Sequence, residues 1–345
     1  MKKFVVPFLI LVSFTVGYYL IDSKAKNNPI AIDNTLGEEN EGGPEMEPHP
    51  LSIEALRQGE FTGSTLEIEQ TLSAGSNYKR FITSYKSEGL KIYGLLTIPD
   101  GNPPENGWPA IIFNHGYISP SVYKTTEKYV AYQDAFASAG YVTLKSDYRG
   151  HGNSEGEARG GYGANDYTID VLNAVSSVKK MDQVNAEKIG MWGHSMGGHI
   201  TLESMVVSGD IKAGVIWGGV VGSYEDMFNR WRKRNSNRPT PSPGSRGWWR
   251  YEMSQLYGDP NENSEFWRSL TATSYLSDIS GPVQLHHGTA DASVEVELST
   301  KLEQKLKDVG GDVEAYYYEG DDHNLSRNLT LALSRSVNFF DKFLK

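Results

Sequence analysis

The chain has 345 residues, a formal net charge of −10 at pH 7 and no cysteine. This length can hold one large domain with a full hydrophobic core, or two small ones. The acidic balance argues against nucleic acid as a partner, and the absence of cysteine excludes disulfides, thiol catalysis and cysteine-based metal sites.

The N-terminus has the pattern of a targeting segment. Lys2 and Lys3 precede an uncharged, mostly apolar stretch over residues 4–21, which is just long enough to span a bilayer. Residues 23–25, Ser-Lys-Ala, offer a small-x-small cleavage site. We therefore expect residues 1–23 to be either an uncleaved membrane anchor or a cleaved signal peptide. In both cases the rest of the chain lies outside the cytoplasm, membrane-anchored or secreted.

A flexible linker is expected to follow the targeting segment. Residues 34–44 are acidic, rich in glycine and poor in apolar side chains, which is a composition that cannot form a core. We assign residues 24–55 to an acidic tether and residues 56–345 to the folded domain.

The folded domain begins with segments typical of β-strands, after which predicted strands and helices alternate. Segments 64–72, 79–86 and 90–98 alternate apolar and polar residues, which predicts antiparallel strands at one edge of a sheet. Further strands are predicted over 110–114, 141–145, 188–192, 213–217, 282–286 and 313–318, and helices over 126–139, 167–180, 197–207, 295–309 and 329–344. This alternation predicts an α/β fold with a mainly parallel central sheet and helices on both faces.

An insertion over about residues 223–275 interrupts the alternation. An insertion of this size on the carboxyl side of a sheet usually caps a site. Four of the seven tryptophans of the chain lie in it: Trp231, Trp248, Trp249 and Trp267. The rings either form a small core of the cap or bind substrate, with Trp231 and Trp248 as candidates for substrate contact. A basic run between residues 230 and 250 is either a solvated or membrane-proximal surface or a substrate clamp.

Ser195 occupies the apex of a strand, sharp turn and helix over residues 188–200, in a G-x-S-x-G pattern. A hydroxyl is a poor nucleophile unless it is exposed, aimed and beside a base. Gly193 and Gly197 leave room for the tight turn, where a Cβ atom would clash. Ser195 is the predicted nucleophile.

A second match to the same pattern covers residues 152–156 and contains Ser154. It lies in a polar, glycine-rich loop, no strand leads directly into it, and no apolar helix follows. Ser154 therefore lacks the structural context that gives the pattern its meaning.

A serine nucleophile needs a general base and an acid that orients the base. In mainly parallel sheets of this kind the order along the chain is serine, acid, histidine, so the base should be one of the histidines that follow Ser195. His199 lies on the helix that the serine begins and should point away from it. His286 and His287 lie in or at the end of a strand and are interpreted as structural. His323 follows a strand directly, in a loop, and is the predicted base.

Asp291 is the predicted orienting acid, because it follows the strand over 282–286 and precedes His323. Its carboxylate should accept the Nδ1 proton of His323. Asp321 and Asp322 serve better as loop formers, and Asp278 precedes its strand, at the wrong edge of the sheet. No cofactor or metal site is expected.

Two backbone N–H groups are expected to stabilise the oxyanion. Met196 follows the nucleophile at a helix N-terminus, where the helix dipole adds to the effect. The loop over residues 114–117 should supply the second donor, the N–H of Tyr117, with Gly116 giving the bend. The ring of Tyr117 should also face the bound acyl group.

These motifs together resemble the α/β-hydrolase superfamily over residues 64–345. The similarity is strongest to prolyl-oligopeptidase-like and dienelactone-hydrolase-like serine hydrolases, and the turn at Ser195 is also similar to that of cutinases and polyester hydrolases. The matching segments are His115–Tyr117, Asp147–Ser154, Gly193–Gly198, His287–Asp291 and Gly320–His323. The resemblance implies an α/β-hydrolase fold and serine-hydrolase activity.

The peptide-cleaving relatives usually carry a large N-terminal β-propeller. This chain departs from them, because only about 60 residues precede the first predicted strand. We therefore expect hydrolysis of small-molecule or polymeric carboxylic esters through an acyl-enzyme, and the aromatic cap suggests aromatic esters or polyesters. A serine peptidase acting on short peptides is the alternative. A non-catalytic binding protein is disfavoured because all three triad members are present. A membrane is a partner only if the N-terminal segment stays uncleaved.

Overall fold

The computed structural model describes residues 47–229, 240–242 and 248–345. The predicted targeting segment 1–23 and most of the predicted linker lie outside the described residues. No helix within the described ranges combines the length and apolar character that crossing a bilayer requires.

Nine strands in the described part of the chain form one sheet. They are β1 (Glu67–Thr71), β2 (Tyr78–Ser87), β3 (Leu90–Pro99), β4 (Trp108–Asn114), β5 (Val142–Ser146), β6 (Val184–His194), β7 (Ile211–Trp217), β8 (Val283–Gly288) and β9 (Val313–Tyr318). Their order is β1-β2-β3-β5-β4-β6-β7-β8-β9. Strands β4 to β9 are mutually parallel, and β1 to β3 form the antiparallel edge. Both features agree with the sequence-based expectation.

The register of β4 against β6 brings two chain segments to the same level at the carboxyl edge. Phe113 pairs with Trp192, and Asn114 pairs with Gly193. The loop after Asn114 and the turn after Gly193 therefore leave the sheet side by side. In open parallel sheets this edge is where ligands bind.

Helices cover both faces of the sheet. They are α1 (Ile53–Arg57), α2 (Val130–Ser138), α3 (Asp166–Lys179), α4 (Met196–Val207), α5 (Tyr224–Asn229), α6 (Trp248–Tyr257), α7 (Glu265–Ser269), α8 (Glu297–Asp308) and α9 (Leu329–Leu344). Alternate residues of a strand point to opposite faces. Accordingly, Ile112 packs in the core under α3, α4 and α8, whereas Ile111 and Phe113 pack in the core under α2 and α9.

The compact unit begins earlier than predicted, at Glu47 instead of residue 56. Helix α1 lies within the predicted linker, yet Ile53 is fully buried, and α1 packs against α4. Ser52 caps α1 by accepting a hydrogen bond from the N–H of Ala55. The linker prediction over 24–55 is therefore wrong in its last part, because a short helix with two apolar side chains reaches the core.

Helix α2 starts at Val130 rather than at the predicted residue 126. Lys128 and Tyr129 have φ values of 46° and 57°, in the left-handed region that side chains other than glycine rarely adopt. Two consecutive residues in this conformation cannot continue a right-handed helix. The segment before α2 is instead a strained loop that leads from the carboxyl edge of β4.

Candidate active site

Ser195 lies at the turn between β6 and α4 with a φ of 57°, a conformation that costs about 1–3 kcal/mol for a residue with a side chain. The backbone around it holds this conformation. Its N–H donates to the carbonyl of Trp217 at 3.0 Å, and its carbonyl accepts from the N–H of Val220 at 3.1 Å. The neighbouring strand β7 thus fixes the serine at the carboxyl edge of the sheet.

The glycines on either side of Ser195 are required by close packing. A Cβ atom on Gly197 would overlap the carbonyl of Asn114, and one on Gly193 would overlap the carbonyl of Gly197. The start of α4 therefore packs directly on the end of β4. This agrees with the prediction that the turn leaves no room for side chains at these two positions.

Ser154, the other G-x-S-x-G serine, has a structural contact instead. Its Oγ accepts a hydrogen bond from the N–H of Tyr93 at 2.9 Å, which ties its loop to strand β3.

The structure brings the predicted base and acid together. His323 follows β9, Asp291 follows β8, and His323 Nδ1 lies 2.6 Å from Asp291 Oδ2. The other carboxylate oxygen accepts the N–H groups of Ser293 at 2.7 Å and Val294 at 2.9 Å. The side chain of Asp291 is fully shielded from solvent, so the carboxylate faces the imidazole of His323 and not the solvent.

His287 also contacts the carboxylate of Asp291, which sequence reasoning did not anticipate. Its Nε2 lies 3.2 Å from Asp291 Oδ2 and 2.9 Å from the carbonyl of Val294, and its Nδ1 lies 2.7 Å from Ser299 Oγ. Burial alone would raise the pKa of Asp291, but hydrogen bonds from His287, His323 and the Val294 N–H hold it well below its ordinary value. Asp291 is therefore ionised whenever the protein is folded near neutral pH.

A cavity of about 290 Å³ opens above the serine. Ser195 and His323 both line it, together with Gly116, Tyr117, Tyr129, His194, Ser293, Val294 and Asn324. Gly218, with a φ of 50°, lies behind the base: a Cβ atom there would come within 3.0 Å of His323 Nδ1. The three predicted triad residues and Tyr117 therefore belong to one site.

Of the two residues expected to supply oxyanion donors, Tyr117 lines this cavity and Met196 directly follows Ser195, which also lines it. Met196 is the first residue of α4, so its N–H belongs to the helical turn that has no acceptor within the helix. Tyr117 lines the cavity wall and is 46% exposed as a residue. The oxyanion site therefore stays a prediction, in which the N–H of Met196 comes from the start of α4 and that of Tyr117 from the loop after β4.

The cap aromatics behave mainly as a small core. Trp267 is buried, and its ring lies 5.5 Å from that of Tyr224 and 5.6 Å from that of Phe228. The ring of Trp248 lies 5.2 Å from that of Tyr251, and Trp248 is not among the residues that line the cavity. The structure therefore does not bring Trp248 to the site, contrary to its candidacy for substrate contact. Trp231 and most of the basic run lie outside the described residues.

His199 and His286 make structural contacts, as interpreted from the sequence. His199 does not line the cavity, and its Nε2 lies 3.1 Å from Glu203 Oε1 on its own helix. His286 is fully buried, with Nδ1 2.8 Å from the hydroxyl of Tyr318 and Nε2 2.7 Å from Gln284 Oε1. Burial, assisted by the charge of Arg335, lowers the pKa of His286 to about 3.

We expect the His286→Gln variant to lose part of the acid sensitivity of the protein. Because the folded-state pKa of His286 is depressed, only the unfolded chain binds its proton between about pH 6.5 and 3, so this histidine lowers stability as the pH falls through that window. Between about pH 7.5 and pH 5 this histidine should lower the free energy of unfolding of the wild type by about 2 kcal/mol. Urea unfolding of the wild type and of His286→Gln at both pH values measures the difference. An equal acid-induced loss in the variant would contradict the assignment.

Comparisons with known proteins agree with this architecture. The model of the prolyl oligopeptidase family matches residues 128–345. The uncharacterized peptidase YtmA of Bacillus subtilis is 27% identical over 248 residues, which are 71% of this chain and 86% of that protein. Dipeptidyl peptidase 4 of Sus scrofa is 28% identical over 164 residues, but these residues span only 18% of its length.

Two solved structures show the same fold. The Est1E structure with bound ferulic acid, from Butyrivibrio proteoclasticus, has a TM-score of 0.56 at 21% identity and aligns over 75% of this chain and 98% of its own. The acylaminoacyl peptidase of Pyrococcus horikoshii has a TM-score of 0.60 at 23% identity, over 78% of this chain and 43% of its own. The expected α/β-hydrolase fold is thereby confirmed.

Proposed function

Because the chain belongs to the prolyl oligopeptidase family and is a serine hydrolase, we propose that it cleaves uncharged carboxylic esters through an acyl-enzyme on Ser195. The observation that carries this proposal is the cavity shared by Ser195 and His323. No Asp, Glu, Lys or Arg side chain is among the described residues that line it. His194, which does line it, is kept neutral because burial lowers its pKa to about 3.

Acylation begins when Ser195 Oγ attacks the ester carbonyl carbon. His323 Nδ1 is hydrogen-bonded to Asp291, so Nε2 is the nitrogen that accepts the serine proton. The N–H groups of Met196 and Tyr117 donate to the oxyanion of the tetrahedral intermediate. As the ester C–O bond breaks, His323 Nε2 returns the proton to the leaving alcohol, and the acyl group remains on Ser195.

Deacylation repeats these steps with water. His323 Nε2 removes a proton from the water, whose oxygen attacks the acyl carbon, and the same N–H groups stabilise the second oxyanion. Collapse of this intermediate breaks the bond to Ser195 Oγ, which regains its proton from His323. The products are the carboxylic acid and a regenerated serine.

The uncharged lining favours esters over peptides with free termini. An ammonium group in such a cavity would lose its hydration without a carboxylate partner, which is unfavourable. The half-exposed ring of Tyr117 instead offers an apolar surface for a flat acyl group, since aromatic rings pack well edge to face or offset. Ferulic acid, the molecule bound to Est1E, is an aromatic carboxylic acid of this kind. We therefore propose aromatic esters as the preferred class.

A serine peptidase of short peptides is the second candidate. It is supported by the similarity to YtmA, which is named a peptidase and is matched over most of its length.

The two candidates predict different kinetics on matched substrates. A p-nitrophenyl ester and a p-nitroanilide of the same acyl group should be compared, together with a dipeptide p-nitroanilide. We expect a burst and steady turnover with the ester, and anilide kcat/KM values lower by more than about 100-fold. Anilide values within about tenfold of the ester value would reject the ester proposal and support the peptidase.

A further inference from the structure

Two residues that line the cavity, Tyr129 and His194, have no part in the chemistry described above. Their side chains form a continuous hydrogen-bond chain. The N–H of Gly116 lies 3.0 Å from the hydroxyl oxygen of Tyr129, which lies 2.7 Å from His194 Nδ1. His194 Nε2 lies 2.9 Å from the backbone carbonyl of His323. The chain thus joins the loop of the predicted oxyanion donor to the loop of the predicted base.

The direction of this chain is determined by its two ends. A backbone N–H can only donate and a backbone carbonyl can only accept. The hydroxyl of Tyr129 must therefore accept from Gly116 and donate to His194 Nδ1, and the proton of a neutral His194 must lie on Nε2 to donate to His323. One protonation state and one tautomer satisfy all three bonds.

The loop that carries Tyr129 is held in its strained conformation by a buried lysine. Lys145, at the end of β5, donates from Nζ to the carbonyls of Glu127 and Lys128, each at 3.1 Å. The side chain of Lys145 has no exposure to solvent. These bonds lie directly before Tyr129, so they help to place its hydroxyl between Gly116 and His194.

The backbone of Gly116 has little freedom to move. A Cβ atom on Gly116 would come within 2.7 Å of the Tyr129 hydroxyl and 3.1 Å of Ser195 Cβ. The contact with Tyr129 therefore holds the backbone of Gly116 in place, and with it the N–H of the next residue, Tyr117, near the nucleophile.

We propose that Tyr129 and His194 are positioning residues that set the oxyanion loop and the base loop relative to each other through this hydrogen-bond chain. The inference rests on the proposed function, since it assigns the two loops to the reaction. It requires Tyr129 and His194 to act as one unit, so that breaking either link should misplace both loops. Misplacement affects the transition state more than binding of the neutral substrate.

The Tyr129→Phe variant tests this role, because it removes the hydroxyl and keeps the ring. We expect kcat to fall by about 10- to 100-fold with KM nearly unchanged. His194→Leu should have the same effect, and the double variant should be no worse than either single variant, as residues of one network are non-additive. His194→Gln, whose amide can accept from Tyr129 and donate to His323, should recover part of the activity. Tyr132→Phe, on the helix that directly follows Tyr129 and outside the hydrogen-bond chain, is the matched control.

Each outcome separates this inference from the proposed function. Additive losses, or an unchanged kcat in Tyr129→Phe, in an active and folded protein would overturn the inference alone. A wild-type protein that neither hydrolyses esters or anilides nor reacts with a fluorophosphonate would overturn the proposed function and the inference with it. If Tyr129→Phe does not fold, the comparison of His194→Leu with His194→Gln decides, since a purely space-filling role predicts no advantage for glutamine.

Discussion

Replacing Ser195 with alanine is expected to lower kcat/KM for esters by about 10⁶-fold and to abolish labelling by a fluorophosphonate. The substitution removes the attacking oxygen and leaves the fold intact, because alanine faces the same backbone strain at a φ of 57°. Steady-state assays with a p-nitrophenyl ester, and mass spectrometry of the labelled protein, measure both effects.

The second G-x-S-x-G serine supplies a matched control. Ser154→Ala removes the acceptor of the Tyr93 N–H, which costs about 1 kcal/mol of stability, and should leave the activity unchanged. If Ser195→Ala kept its burst and its labelling, or if Ser154→Ala lost them, the assignment of the nucleophile would be wrong.

The Asp291→Asn variant should lower kcat by about 10⁴-fold. The carboxylate receives hydrogen bonds from His323, Ser293 and Val294, with His287 nearby at 3.2 Å. An amide has only one oxygen, and because the backbone N–H groups of Ser293 and Val294 can only donate, that oxygen should face them and the NH₂ group should face His323. His323 would then lose the partner that holds its Nδ1 proton, and the wrong tautomer would face the serine.

Asp278→Asn is the control for this experiment. Asp278 is the aspartate at the wrong edge of the sheet, and it lies at the surface in an ion pair with Arg57. We expect the activity of this variant to match that of the wild type. A fall in kcat for Asp278→Asn, or a nearly normal kcat for Asp291→Asn in a folded protein, would remove Asp291 from the proposed mechanism. Because the pKa of Asp291 is well below its ordinary value, protonation of Asp291 should not cause the acid limb of the pH–rate profile.

Much of the fold could be predicted because the strands of a parallel sheet are buried on both faces and read as short apolar runs. The predicted strand 110–114 corresponds to β4, and every predicted strand and helix has a counterpart in the predicted order, whereas α1 and α5 to α7 were not predicted. The triad could be proposed for a related reason. Loops after parallel strands meet at one edge, so polar residues that follow different strands become neighbours.

The start of α2 could not be predicted, because the sequence shows no glycine or proline at Lys128 and Tyr129. Their left-handed conformation is maintained by Lys145, which belongs to a neighbouring strand. Local helix preference is weaker than such tertiary contacts.

The contacts of His287, His194 and Tyr129 were also beyond sequence reasoning. Each is a contact between groups that only the folded structure brings together, and no motif or residue spacing indicates such a contact. His287 shows the difficulty: its strand position indicated a structural histidine, and the structure adds a contact to Asp291, the proposed orienting acid.

Helix α1 has a practical consequence for making the protein. Ile53 fills a site in the core, and Arg57 donates to the carbonyl of Val206, at the end of the helix that Ser195 begins. A recombinant version trimmed to the first strand would expose apolar surface on the back of that helix and favour aggregation. A version shortened for expression should therefore keep Glu47 and every residue after it, even though residues 47–55 were predicted to belong to a tether.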